Sequence, residues 1–188
     1  MPLSATLDTD LDTHKVLQRI RAVIRGALTP SWLGSVPANF GDAAAGTIKA
    51  DEWRSLITVY IPIALISLWG SSQVEKHLKD KLDHTMLLVS AVYISCARTM
   101  SSARTKAYQL CITEYVGALK RTYPGFDPRP NHHAAIHIYD FLKLFGPVHS
   151  WWAFPFERLI GILQHLPKNH KSGKFSVRRS SSAYVQCR

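Results

Sequence analysis

The chain is poor in cysteine. Cys96, Cys111 and Cys187 are its three, far apart and without metal-type spacing, which argues against a disulfide framework and predicts a reducing compartment. It is also poor in acid: 13 Asp and Glu stand against 23 Lys and Arg, for a formal net charge of +10. Such a surplus suits an anionic partner, nucleic acid ahead of a membrane surface, and equally suits a protein whose charge only keeps it soluble. Long apolar runs are missing too. The longest, Leu56 to Trp69, is interrupted by Pro62 and falls short of the roughly 20 residues a spanning helix needs. The first residues, MPLSATLDTDLDT, are acidic and carry no basic-then-apolar signal pattern. These absences predict a soluble intracellular protein that is not secreted and has no membrane partner. Strict alternation of apolar and polar residues is absent as well, so no strand is predicted, and no internal repeat is found.

What is present reads as helix. With 46% hydrophobic and 19% charged residues in 188, the chain is globular in composition and long enough for one core, or for a piece of a larger domain. Residues 1–12 are polar and acidic and read as a disordered N-terminus. From Thr13 an amphipathic helix is predicted, with Val16, Leu17, Ile20, Ile24 and Leu28 inward and Lys15, Arg19, Arg21 and Arg25 outward, ending before Pro30. Its basic face is either a solvated helix face or, through Arg19 and Arg25, a phosphate contact. Residues 29–47 form an irregular connection pinned by Trp32 and Phe40.

Asp51, Glu52, Trp53 and Arg54 open a helix through an almost wholly apolar stretch. Such a helix is expected to be buried on nearly all sides, as the centre of the bundle, with a kink at Pro62. Adjacent acids on a helix point about 100° apart, so Asp51 and Glu52 read as first-turn acids that favour the dipole rather than as paired metal ligands. Ser72 and Glu75 have the form of a capping box opening the next helix, whose first half is charged and second half apolar. Ser101 or Ser102 caps a further helix with Tyr108, Cys111, Ile112, Tyr115, Val116 and Leu119 at helical spacing. After the turn-rich 123–130, Asn131 caps a helix in which His133, His137 and Asp140 share one face. Paired histidines at that spacing can hold zinc, but metalloprotease helices carry a glutamate beside the first histidine, where this chain has Ala134. The pattern favours histidines that hydrogen-bond to neighbours or line a groove beside Glu157.

Residues 146–166, GPVHSWWAFPFERLIGILQHL, are the most informative. Gly146 and Pro147 end the preceding helix, and Pro155 with Glu157 starts another. Phe156, Leu159, Ile160, Leu163 and Leu166 form one apolar stripe. Glu157 reads either as an N-terminal helix acid, paired with Arg158 or His165 and flanked by core tryptophans, or as a functional carboxylate. The tail from Pro167 to Arg188, with Lys168, Lys171, Lys174, Arg178 and Arg179 and no acid, cannot build a core and is expected to be a basic disordered segment. It suits phosphate contact or nuclear import, or serves only to solubilise.

In Gly146, Pro147, His149, Trp152, Phe154, Pro155, Phe156, Glu157, Arg158, Gly161 and Leu163 this stretch resembles a segment near the C-terminal end of the catalytic region of CACTA (En/Spm-type) transposases and of related fungal transposases of the Kyakuja-Dileera-Zisupton kind. A second block, Gly46 to Leu65, which contains Asp51, Glu52 and Trp53, is similar to the segment upstream of it in the fungal relatives. The resemblance implies an RNase-H-like domain in which two strand-borne aspartates and a late glutamate hold two Mg²⁺ or Mn²⁺ ions for in-line attack on a phosphodiester. It would make Glu157 the third acid and residues 13–146 the helical insertion.

No strand-borne aspartate precedes the helices here, so the chain alone is expected to hold no metal and to be catalytically incomplete. The expected architecture is all-α, an irregular bundle of about six helices over 13–166 without the catalytic sheet, followed by the tail from 167. The expected function is residual DNA binding by a truncated transposase-like piece, with the missing catalytic half as a possible partner. The alternative is a structural or protein-interaction domain anchored by Trp151 and Trp152.

Overall fold

The computed structural model describes residues 3–30, 33, 34 and 36–164, and the side chains of these apart from 3–12, 155, 157, 158 and 164. Among the described residues there are helices and no strand. Helix α1 spans Leu3–Gly26. Helix α2 is a continuous run of three segments, Ala50–Ser55, Leu56–Tyr60 and Ile61–Trp69. Helices α3 (Lys76–Ser95), α4 (Ser102–Thr122), α5 (Pro130–Phe145) and α6 (Phe154–Gln164) follow. Short 3₁₀ turns occupy Ala43–Ala45 and Val148–Ser150. After Phe154 the chain passes into a second unit.

Local chemistry explains most boundaries. The helical backbone of α1 begins at Leu3, well ahead of the amphipathic pattern, and stops at Gly26. Leu28, predicted to face inward, therefore lies beyond the helix and is fully exposed. Ser101 caps α4, its hydroxyl accepting the Arg104 N–H at 3.3 Å. Gly146 ends α5 at φ +76°, a left-handed conformation that side chains with a Cβ rarely adopt.

Two predicted caps are corrected. Residues 71–74 make a turn, with the Val74 N–H on the Ser71 carbonyl at 3.4 Å. Helix α3 starts only at Lys76, with Glu75 at its N-cap, so Ser72 opens no helix. At α5 the N-cap is Arg129 and Pro130 occupies the first turn, where its fixed φ and missing N–H cost nothing. Asn131 is thereby moved inside the helix. The Arg129 N–H donates instead to His132 Nδ1 at 2.9 Å.

The disturbance that the sequence places at Pro62 takes the form of a widened turn just before it. A proline ring inside a helix clashes with the carbonyl four residues back and removes a donor. Leu56–Tyr60 is a π-turn, with the Ile61 N–H reaching the Leu56 carbonyl, and this wider winding precedes the ring. Glu52 and Asp51 act as first-turn acids. Glu52 Oε2 accepts the Lys49 N–H at 2.8 Å and Asp51 Oδ1 accepts the Glu52 N–H at 3.1 Å.

The helices pack mainly in sequence order, α1 on α2, α2 on α3, α3 on α4 and α4 on α5. Two apolar clusters result. One joins Ile20 of α1, Val36 of the connection and Leu56, Tyr60 and Ala64 of α2, with Phe40 packed against it. The other joins Ala91 of α3, Tyr108 and Ile112 of α4 and Leu142 of α5. Helix α2 is thus not the all-round buried centre that its composition suggests. Ile63 and Ile66 are 48% and 54% exposed, because α2 is covered by α1 on one side and α3 on another, and the second core is built by other helices. The stripe predicted for α4 does face inward, with Tyr108, Ile112 and Leu119 buried.

Among the described residues no helix is long and apolar enough to cross a membrane. Cys96 and Cys111 are free thiols.

Candidate nucleic-acid groove

Two concavities stand out in the first unit. One, of about 550 Å³, is lined by Lys76, Lys81 and Arg121 but also by Asp80, Asp83 and Glu114. Its lysines and arginine are matched by acids, so it offers an anion little net attraction.

The other, of about 1000 Å³, has Val59, Ile63 and Ile94 among its apolar lining, and Arg54, Arg98, Arg104 and His149 as its basic groups. Among the described residues no carboxylate lines it. Each cation comes from a different piece of chain. Arg54 is carried by α2, Arg98 by the short connection after α3, Arg104 by the first turn of α4 and His149 by the 3₁₀ turn after α5. Tyr93 and Leu28, 72% and 103% exposed, also line this groove.

Arg54, Arg104 and His149 are held by neutral partners, which leaves the charge of the two guanidinium groups uncompensated. Arg104 Nη1 donates to the Thr99 carbonyl and hydroxyl at 2.6 and 2.5 Å. The Arg54 guanidinium lies 5.7 Å from the centre of the Trp152 ring, within range of a cation–π contact. His149 Nε2 lies 2.9 Å from the Cys96 carbonyl; a carbonyl only accepts, so Nε2 carries the proton in that bond. The Trp152 ring meets the His149 edge at 4.1 Å and stacks on Phe154 at 4.6 Å. Cys96 is also in the lining. Burial pushes its thiol above the ordinary value despite the opposing pull of the Ser95 hydroxyl and the Arg54 charge.

The two segments singled out in the sequence meet at the groove: Arg54 belongs to the first and His149 to the second, and the Trp152 ring beside Arg54 belongs to the second as well. Trp53 of the first segment faces the other way, with Phe40 edge-on to it at 6.0 Å. Trp151 is half-buried against the second core and donates its Nε1–H to the Gly146 carbonyl at 3.2 Å. Pro147 leads into the 3₁₀ turn with an extended ψ of 145°.

Of the predicted cations, Arg19 and Arg25 are exposed on α1. Arg19 Nε donates to Ser67 Oγ at 2.7 Å and Arg25 Nε to the Arg21 carbonyl at 3.3 Å. Neither lines the groove. Arg21, by contrast, is partly buried and paired with Asp42. Lys168, Lys171, Lys174, Arg178 and Arg179 lie outside the described residues, as do Trp32, His165 and Leu166. Arg98 and Arg104 escaped the sequence analysis, since one sits in a short polar connection and the other in an ordinary first helical turn.

Glu157 and Arg158 lie near the start of α6, after Pro155, and their side chains are not among those described. On the same helix Phe156, Leu159, Ile160 and Leu163 form the expected stripe, and each is more than half exposed. A Cβ built at Gly161 would meet nothing within 4 Å. Among the described residues no three His, Cys, Asp or Glu side chains gather in a way that could hold a metal ion. No protein family, curated protein or solved structure matches this chain.

Proposed function

We propose that the chain is a nucleic-acid-binding helical piece of a transposase-like protein, one that holds the DNA backbone in the groove between α2, the start of α4 and the turn after α5. The observation that carries this reading is the groove itself, with three arginines and a histidine, no acid among the described lining residues, and the two family-like segments converging on it. Phosphate oxygens are recognised by such unneutralised guanidinium groups. The overall charge of +10 and the basic segment after 167 add a sequence-independent attraction. In this reading the location is nuclear. Glu157 is the lone carboxylate of an incomplete catalytic set, and Mg²⁺ or Mn²⁺ would bind only where another chain supplied the missing aspartates. Metal-dependent strand cleavage by the purified chain, abolished by Glu157→Gln, would contradict that incompleteness.

The test is binding to duplex DNA across a salt series, with and without residues 168–188. Binding that survives removal of the tail supports the groove. Binding lost with the tail, or absent throughout, favours the second reading, a structural or protein-interaction domain. That alternative draws on Phe141, Leu144 and Phe145, which leave α5 with 43%, 73% and 57% exposure.

A further inference from the structure

We propose that His133 and His137 form a bidentate site for a divalent first-row transition cation, independent of the groove and of any DNA binding. The sequence alone weighs against a metal here, because the glutamate of metalloprotease helices is missing. The geometry points the other way. On α5, His132 is committed to the helix start through its bond from the Arg129 N–H at 2.9 Å. His133 and His137 turn instead toward each other, with Nε2 to Nε2 at 3.2 Å and ring planes 79° apart.

Two imidazole nitrogens at that distance share a single proton at best, since a facing lone pair on each would repel. A cation in place of that proton satisfies both. With bonds of about 2.0–2.1 Å and a tetrahedral angle, two zinc-bound nitrogens lie about 3.3 Å apart, which is the spacing already present.

Two further features prepare the site. Asp140 Oδ2 lies 3.6 Å from His137 Nδ1. A carboxylate on the far ring nitrogen favours the tautomer with Nδ1–H, so that the Nε2 lone pair faces His133. Asp140 is in this sense a positioning residue. The helix beneath is fixed by its inner face, where Leu142 is buried and Ala135, Ile138 and Tyr139 pack against the second core. The two imidazoles are exposed, so a cation reaches them without unfolding anything. Two protein ligands leave the other positions to water, and imidazole donors select zinc, nickel or copper over magnesium or calcium.

The full chain, freed of metal with a chelator, is titrated with zinc chloride and with nickel chloride, while calorimetry, melting temperature and the imidazole proton resonances are followed. The expected result is one equivalent bound, perturbation of the His133 and His137 resonances, and a metal-dependent rise in melting temperature. His133→Gln and His137→Gln each reduce a chelate to a single contact, so each should weaken binding at least about tenfold with the metal-free melting temperature unchanged. Asp140→Asn should weaken it roughly tenfold, again without moving the metal-free melting temperature. Unchanged affinity in Asp140→Asn would remove that residue from the site. Equal binding by wild type and the double histidine variant, or no binding by either, would overturn the proposal, because any ion bound would then sit on the other histidines.

Discussion

Replacing Arg54, Arg98 and Arg104 together by glutamine removes every arginine from the groove while keeping side chains of similar length. If each guanidinium neutralises one phosphate of duplex DNA, the three contribute about −2.7 to the slope of log affinity against log salt, at roughly −0.9 each. Between 50 and 200 mM salt that share amounts to about a 40-fold loss of affinity. The measurement is a fluorescence-anisotropy titration at several salt concentrations, with wild type and triple variant in the full chain. The basic segment after 167 is present in both proteins, so the difference between their slopes isolates the groove. The variant is expected to bind more weakly at low salt, with a slope shallower by about 2.7, and to be affected equally on unrelated sequences, since phosphates carry no sequence information. Arg104 ties down Thr99 and Arg54 lies over Trp152, so helicity and melting temperature must be shown to persist. Identical slopes in a folded variant would refute the groove as the phosphate site.

Two further predictions concern the scaffold. Leu56 and Leu142, 0% and 1% exposed, are the largest fully buried side chains among the described residues and belong to different clusters, so Leu56→Ala and Leu142→Ala should each cost about 2–5 kcal/mol in urea unfolding. The double variant should be additive within about 0.5 kcal/mol, and a much larger coupling would mean that the two clusters behave as one core. Burial pushes the Tyr108 phenol far above its ordinary value, and also raises Tyr115 and Tyr123. The unfolded chain releases these protons near the ordinary value of about 10. Stability held below that pH should therefore fall as pH rises toward the higher native values, by up to about 1.4 kcal/mol per pH unit for Tyr108. Tyr108→Phe should flatten that alkaline decline; a decline as steep in the variant as in wild type would show that the Tyr108 proton is not its source.

The features legible in the sequence are those decided within one or two helical turns. Ser101 at its cap, Gly146 with its positive φ, the first-turn acids of α2 and the inward stripe of α4 all follow from neighbours three or four residues apart. The same local chemistry misplaced the starts of α3 and α5, where competing caps lay within a few residues of each other. In the second case the deciding factor was the fixed φ of Pro130. Periodicity shows which residues share a face, yet it does not say what covers the face. That limit left Ile63 and Ile66 half exposed on a helix expected to be buried all round.

The amino-acid sequence by itself determined the all-helical class of the described residues, the positive charge and the local stop and start signals, because each depends on composition or on short-range spacing. Only the tertiary structure brought Arg54 over Trp152 and gathered Arg98, Arg104 and His149 around the same groove. Only the structure, too, set the two imidazole nitrogens of α5 at 3.2 Å. The groove depends on packing between segments far apart in the chain, which spacing along one helix does not encode. The imidazole distance depends on rotamers: the i, i+4 spacing puts both rings on one face, but the side-chain torsions choose whether they meet.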